Sequence, residues 1–230
     1  MPARERLDAA PDAAPTLLLT RPEPDSRRFA AMLPEYRALI SPILRIVPVA
    51  HDAARLASAE GLVFTSAHAV AAAGPGRGRV ALCVGARTAE VARAAGFEAR
   101  AGNGFAESLL PMIAAARVEL IHPHGRHLAK VLPVPGMVVY DQIAVPLDDR
   151  ARALLASDAD VVLPLFSPRS ARLLSEAAAG AAARLWPVAI SAAAAANWSG
   201  PGRAAAVAVR PDAAAMAGAV RGLGLQELSR

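Results

Sequence analysis

The sequence predicts an α/β fold: parallel sheets covered by helices, arranged as two similar halves. Three observations lead there. Short apolar runs of β type alternate with alanine-rich helical stretches along the 230 residues, which is the pattern of a parallel sheet with helical crossovers. The polar clusters Thr20-Arg21, Thr65-Ser66, Gly85–Thr88, His122–Arg126 and Ser167–Ser170 all follow an apolar run, and ligands of parallel sheets gather at the carboxyl ends of strands. Finally, a strand–hydroxyl–helix unit occurs twice, as GLVFTSAHAVAAA at Gly61–Ala73 and DVVLPLFSPRSARLL at Asp160–Leu174.

Composition narrows the function classes. A chain of this length holds one or two domains with a substantial core. Hydrophobic residues make up 54% and aromatics 4%, yet no apolar run approaches the ~20 residues of a membrane span. The opening MPARERLDAAPDAAP lacks the continuous apolar segment of a signal peptide, so residues 1–15 read as a disordered leader and a cytoplasmic protein is expected. Cys83 is the only cysteine; it excludes an internal disulfide or a cysteine-based metal cluster, and its place in Val80–Val84 reads as a buried strand. The net charge of +5 favours anions. The arginines are scattered and stacking aromatics are scarce, which argues against nucleic acid and for a small polyanionic substrate.

Taken in order, Thr16–Thr20 is a strand closed by Pro22 and Pro24, and Asp25 or Ser26 can cap a helix over Arg27–Leu33. Leu44–Val49 alternates but contains Pro48, which fits an edge or linker strand. His51–Ala59 is helical in pattern. The run Leu62–Phe64 feeds a helix through Thr65 and Ser66. Val80–Val84 is a strand, followed by a helix over Ala89–Ala95 that Gly96 stops. Phe97–Ala101 is a strand, and a helix starts near Glu107 and Ser108, close to Pro111. Val118–Ile121 is a strand ending in a His122–Arg126 loop, with a helix over 127–132. Met137–Val145 is of β type. Asp148 or Asp149 caps a helix over Ala151–Ala156, Asp160–Phe166 and Trp186–Ile190 are strands, Ala204–Val209 is another, and Asp212 caps a helix over Ala213–Val220.

The halves align. With Ser66 set against Ser167, FTSAHAV faces LFSPRSA, CVGARTAEVA faces AISAAAAANW, and Phe97–Ile113 corresponds to Ala204–Val220. Alanine-rich segments can match by chance, but order and spacing kept over several elements argue for a repeat.

At these residues the sequence resembles the uroporphyrinogen-III synthase family. The resemblance runs from Leu17 to about Leu223, through Thr20-Arg21-Pro22, Phe64-Thr65-Ser66 with Ala69-Val70, Val84-Gly85 with Thr88-Ala89, Ala106–Leu109, Tyr140, and Phe166-Ser167-Pro168. It implies two flavodoxin-like parallel-sheet domains joined by a two-stranded β linker, with the active site in the interdomain cleft. The discontinuous domain would comprise residues 1–43 and 147–230, the inserted domain 50–136, and the linker strands 44–49 and 137–146. The family converts the linear tetrapyrrole hydroxymethylbilane to uroporphyrinogen III: the terminal hydroxyl leaves as water, ring D inverts through a spiro intermediate, and the macrocycle closes. No metal or organic cofactor is implied, and a monomer is expected. Because the pyrrole nitrogens can expel the hydroxyl themselves, the protein's task is mainly positioning and electrostatics.

That chemistry assigns candidate residues. Tyr140 matches the family's functional tyrosine and is the candidate to assist the departing hydroxyl; the alternative is a tyrosine that only packs. Thr65, Ser66, Ser167 and Ser170 are candidate carboxylate binders, or plain helix caps. Gly85, Arg87 and Thr88 form the corresponding turn of the inserted half, where glycine allows close backbone approach and arginine can pair with a carboxylate; a solvated Arg87 is the alternative. Arg21 and Arg169 stand on the same footing. His122, His124 and His127 fall within six residues, but no acidic or cysteine partner is expected nearby, so a metal is not expected. Carboxylate contacts from His124, Gly125 and Arg126 are the better reading, against a merely polar loop. Ser191 and Ala192 open the second copy of the VG-x-x-TA turn, where Ala194 replaces the family's threonine and only Ser191 and backbone N–H groups remain. That departure favours the rival reading, a non-catalytic two-domain binder of an anionic small molecule. A DNA-binding regulator lacks its basic recognition helix.

Overall fold

A computed structural model of the chain describes residues 15–128, 130–202 and 206–224. The expected leader lies outside the described residues, apart from Pro15. The chain divides into two compact units, one from the described parts of Met1–Leu44 and Ala144–Arg230, the other from Arg45–Ile143.

The first unit holds strands β1 (Thr16–Leu19) and β2 (Arg37–Ile40) from the amino-terminal part, and β9 (Asp160–Leu165), β10 (Arg184–Ala189) and β11 (Ala206–Val207) from the carboxyl-terminal part. They lie in the order β11-β10-β9-β1-β2, and the pairings are parallel. Numbered within the unit, this is 2-1-3-4-5 read from β2, the flavodoxin arrangement. The central strands β1 and β9 are buried on both faces, as a parallel sheet under two helical layers requires. Leu17, Leu19, Val162 and Val188 pack with Phe29 of α1 (Glu23–Ala30) and Met216 and Val220 of α8 (Ala213–Arg221). Leu18, Val161, Leu163 and Leu165 face the other way, against Leu155 of α5 (Asp149–Ala156) and Ala171 and Leu174 of α6 (Pro168–Ala177).

The second unit is a six-stranded sheet ordered β3-β8-β7-β4-β5-β6, from β3 (Leu44–Pro48), β4 (Gly61–Phe64), β5 (Val80–Cys83), β6 (Glu98–Ala101), β7 (Leu120–Gly125) and β8 (Gly136–Ala144). Its last five strands repeat the arrangement of the first sheet, with β4, β5 and β6 in the places of β9, β10 and β11, and β7 and β8 in those of β1 and β2. The internal repeat therefore corresponds to a shared strand order in which the chain enters at a different point. The two strands expected as linkers pair into this sheet: β8 runs parallel to β7, and β3, with Pro48, is its edge. Leu62, Phe64, Ala81 and Cys83 pack with Leu56 of α2 (Ala53–Ser58) and Ala89 and Ala92 of α3 (Ala86–Ala94). Val63, Leu82 and Leu120 face Leu109 of α4 (Leu109–Ala114).

Several elements differ from the sequence expectation. Helix α1 starts at Glu23, because Pro24 sits in the first turn, where a missing N–H costs nothing; neither Asp25 nor Ser26 caps it. The strand β2 was not foreseen: its two exposed positions, Arg37 and Ala38, hide the apolar signal. The alanine run after Ser66 is two 3₁₀ turns, Ala67–Ala69 and Ala71–Ala73, instead of an α-helix. Only eight residues separate Thr65 from Gly74, whose φ of +65° ends the segment, and so short a piece closes with i→i+3 bonds. Helix α3 begins three residues before its expected start, at Ala86. Strand β7 runs through His122, Pro123, His124 and Gly125, which were expected as a loop, and the described residues of 127–132 form no helix. Pairing with β8 carries the strand on: His122 faces Gly136 and Gly125 faces Tyr140, with an irregularity between His124 and Gly125. In the last strand, residues 204 and 205 lie outside the described residues.

Candidate active-site residues at two strand crevices

In each sheet, two neighbouring strands begin as a pair and then part. β1 pairs with β9 at Thr16–Val161 and Leu17–Val162; β4 pairs with β7 at Gly61–Leu120 and Leu62–Ile121. These are the positions where strand order reverses, and a crevice opens there beyond the strand ends. The divergence also explains Pro123: beyond Ile121, β7 is paired only with β8, so a residue without N–H is tolerated.

In the first unit the crevice is flanked by the segments after β1 and β9. The guanidinium of Arg21 lies 4.4 Å from the centre of the Phe166 ring, a cation–π contact across the crevice. It also lies 3.5 Å from a carboxylate oxygen of Asp25. Burial, and then the neighbouring charge of Arg28, lower its pKa to about 10, so it stays charged at neutral pH. Ser26 Oγ donates to the Arg21 carbonyl at 2.9 Å and fixes that turn. Across from it, Ser167 caps α6: its Oγ accepts from the Ser170 N–H at 3.1 Å. The buried Ser170 hydroxyl returns a bond to the Ser167 carbonyl at 3.0 Å. Arg169 is half-buried in the first turn of the helix. Ser191 caps the five-residue α7 (Ala192–Ala196) through the Ala194 N–H at 3.2 Å, and Ala192 is its exposed first residue. Ala194 is fully buried.

In the second unit Thr65 follows β4 and faces β7. Its Oγ1 is hydrogen-bonded to Nε2 of His122 at 2.9 Å. His122 is 2% exposed; burial, and then the charge of His124, push its pKa down to about 4. The imidazole is therefore neutral at pH 7. The His122 and His124 ring centres are 4.8 Å apart. His124 is buried, its Nδ1–H donates to the Gly125 carbonyl at 2.8 Å, and its ring covers Gly136. Ser66 caps the first 3₁₀ turn by accepting from the His68 N–H at 3.3 Å.

Tyr140 belongs to the same cluster. It is 5% exposed and packs with Phe64, Ala69 and Val70. Its ring covers Gly125 and meets the His68 ring edge-on, with centres 6.0 Å apart. The Arg126 N–H donates to the Tyr140 carbonyl at 3.0 Å. Arg126 Nε donates to Asp141 Oδ2 at 2.8 Å, and His127 approaches the other oxygen at 3.6 Å. Hydrogen bonding from Arg126 holds the Asp141 carboxyl below its usual range. The expectation that no acid lies near the histidines is thus corrected: Asp141 comes from the adjacent strand β8.

The Gly85–Thr88 turn opens α3. Gly85 has extended backbone (φ −162°), and a β-carbon there would meet Gly104 Cα at an ordinary 3.4 Å. Arg87 is half-exposed and pairs with Glu90 at 2.8 Å, while Thr88 is buried in the first turn. Thr88 in α3 and Ala194 in α7 occupy the same third helical position, and both are buried.

Sequence reasoning weighed His122 only as part of a polar loop or a metal ligand and Phe166 only within a motif, and it did not consider Asp141. For Asp141 a signal existed, its adjacency to Tyr140. For His122 and Phe166 the partner is set by strand neighbours distant in sequence.

The family model described as HEM4, uroporphyrinogen-III synthase HemD, matches residues 34–218. Among solved structures, a uroporphyrinogen-III synthetase from Helicobacter pylori aligns with a TM-score of 0.62 at 15% identity, over 91% of this chain and 99% of its own. A mutant uroporphyrinogen III synthase from Thermus thermophilus aligns with a TM-score of 0.52 at 17% identity, over 94% and 100%. At these identities the likeness is one of fold. A search of curated proteins finds no match. No helix among the described residues is long and apolar enough to cross a membrane. The family model spans most of the chain, and the two-unit α/β architecture is that of the solved synthases: the chain belongs to the uroporphyrinogen-III synthase family, enzymes of porphyrin biosynthesis.

Proposed function

We propose that the chain closes hydroxymethylbilane to uroporphyrinogen III, with inversion of ring D and loss of water. What supports the reading, beside the family, is the pair of crevices: where the strands part, one gathers the Arg21 guanidinium with the Ser167 and Ser170 hydroxyls and the other the Thr65 hydroxyl beside His122, polar surroundings of the kind a polycarboxylate needs. Family membership by itself implies a tetrapyrrole substrate.

In this reading Tyr140 donates a hydrogen bond to the terminal hydroxyl as its carbon–oxygen bond breaks. A phenol is a weak acid at neutral pH, so assistance to a leaving group that the pyrrole nitrogen already expels is the appropriate task. The hydroxyl departs as water and leaves an electrophilic azafulvene. Attack by the substituted carbon of ring D gives the spiro intermediate; its reopening and reclosure deliver the inverted ring. Arg21, Thr65, Ser66, Ser167 and Ser170 hold carboxylates, together with the N–H groups of the turns at Gly85–Thr88 and Ser191-Ala192, and with Gly125 and the Arg126 guanidinium at the end of β7. Arg87 and Arg169 contribute charge, and His124 shapes the β7 wall. The chain acts as a cytoplasmic monomer in this reading.

The test supplies hydroxymethylbilane and resolves the product isomers. The type III isomer formed well above the spontaneous rate supports the proposal. Only type I isomer at the spontaneous rate overturns it, and tight tetrapyrrole binding without turnover would point to the non-catalytic binder.

A further inference from the structure

The Thr65–His122 pair decides what Thr65 can bind. A hydroxyl has one proton to give and two lone pairs that accept, whereas a carboxylate only accepts. If His122 Nε2 were bare, the Thr65 proton would be spent on it, and the hydroxyl would turn lone pairs towards an incoming carboxylate. If Nε2 carries the proton, His122 donates to Thr65 Oγ1 and the threonine proton stays available.

The surroundings distinguish the two cases. His122 is buried and neutral, because burial and His124 keep its pKa near 4, so its ring carries a single proton. On Nδ1 that proton would meet no acceptor among the described residues. The His122 backbone N–H is taken by the Pro135 carbonyl. His124 Nδ1–H is committed to the Gly125 carbonyl, and no hydrogen bond between the two rings is found among the described residues. With His122 only 2% exposed, a proton on Nδ1 would find little water and no protein acceptor to replace it. On Nε2 the same proton meets Thr65 Oγ1 at 2.9 Å.

We propose that His122 is a positioning residue: it donates from Nε2–H to Thr65 Oγ1, fixes that hydroxyl at the β4–β7 crevice, and frees its proton for a carboxylate of the tetrapyrrole. The inference rests on the synthase reading for the identity of the anion and on the geometry alone for the tautomer.

Two measurements on the full chain test it. In nitrogen-15 spectra of the histidine-labelled protein, with His122 assigned by its loss in His122→Gln, the expected signal is a protonated Nε2 with a bare Nδ1. The reverse pattern overturns the proposal. In kinetics, His122→Leu raises KM for hydroxymethylbilane about tenfold with kcat little changed, Thr65→Val does the same, and the double variant adds no more, as one shared interaction requires. His122→Gln, whose amide N–H reaches the place of Nε2, rescues most of the loss. A folded His122→Leu protein with the wild-type KM overturns the proposal. Should the wild-type chain form no type III isomer, the functional reading fails on that result; the nitrogen spectrum still decides the tautomer. The same contrast is then read in the Kd for uroporphyrin, where an unchanged Kd in His122→Leu overturns the carboxylate role.

Discussion

The Tyr140 ring lies directly over Gly125: a β-carbon at residue 125 would sit 2.5 Å from Cε2, 2.6 Å from Cζ and 2.9 Å from the hydroxyl oxygen. The two residues face each other across the β7–β8 ladder. The glycine therefore sets where the phenol rests. A side chain at Gly125 would disturb that ring, which is 5% exposed and buried in one cluster with Phe64, Ala69 and Val70.

Gly125→Ala accordingly displaces Tyr140. Overpacking of a buried contact costs about 1–3 kcal/mol, so urea unfolding should show a loss in that range, accompanied by a fall in type III product. Retention of both stability and isomer ratio would contradict the placement of the ring.

Tyr140→Phe separates the phenol from its packing. The ring contacts with Gly125 and His68 remain, so the melting temperature should change little. The rate of uroporphyrinogen III formation should fall by roughly tenfold to a hundredfold, at or below the low end of general-acid effects. An unchanged rate would leave Tyr140 a packing residue.

His122 predicts an acid-sensitive step. Its ordinary pKa of 6.5 drops to about 4 in the folded chain, so the unfolded state gains a proton first. Stability is fully present above pH 6.5 and declines as pH falls towards 4, by up to about 3 kcal/mol at 1.36 kcal/mol per pKa unit. The carboxylates Asp141, Asp160 and Asp212, whose pKa values are lowered, contribute below that window. Urea titrations between pH 7 and 4 should therefore show a flatter profile in His122→Gln than in the wild type.

Ser167→Ala distinguishes capping from binding. Loss of the bond to the Ser170 N–H should cost about 1 kcal/mol of stability. If Ser167 also holds a carboxylate, KM for hydroxymethylbilane rises as well; a stability loss with unchanged KM assigns it to capping alone.

Ala194→Thr restores the residue type found at Thr88 in the corresponding turn. Ala194 is fully buried against the α6 side of the first sheet, so the two added heavy atoms should destabilise the chain by about 1–3 kcal/mol. The measurement is denaturant unfolding of the variant beside the wild type.

By itself the sequence determined the parallel α/β class, the repeat and the polar ends of the strands. Those features are local: apolar runs of four to six residues, hydroxyls at Ser167 and Ser191, and Asp148 and Asp212 as caps all act through neighbours a few positions away. Even the repeat is legible this way, because FTSAHAV and LFSPRSA follow strands in equivalent places. The tertiary structure decided what depends on strand neighbours. The order β11-β10-β9-β1-β2 and its counterpart bring Arg21 to Phe166 and Thr65 to His122, residues 145 and 57 positions apart. Pairing with β8 made a strand of His122–Gly125, although Pro123 and Gly125 read locally as a loop, and set Tyr140 on Gly125 and Asp141 beside Arg126. Ladder hydrogen bonds satisfy backbone groups whatever the local propensity, so the register of β7 against β8, and with it the setting of the candidate site, was fixed only when the sheet formed.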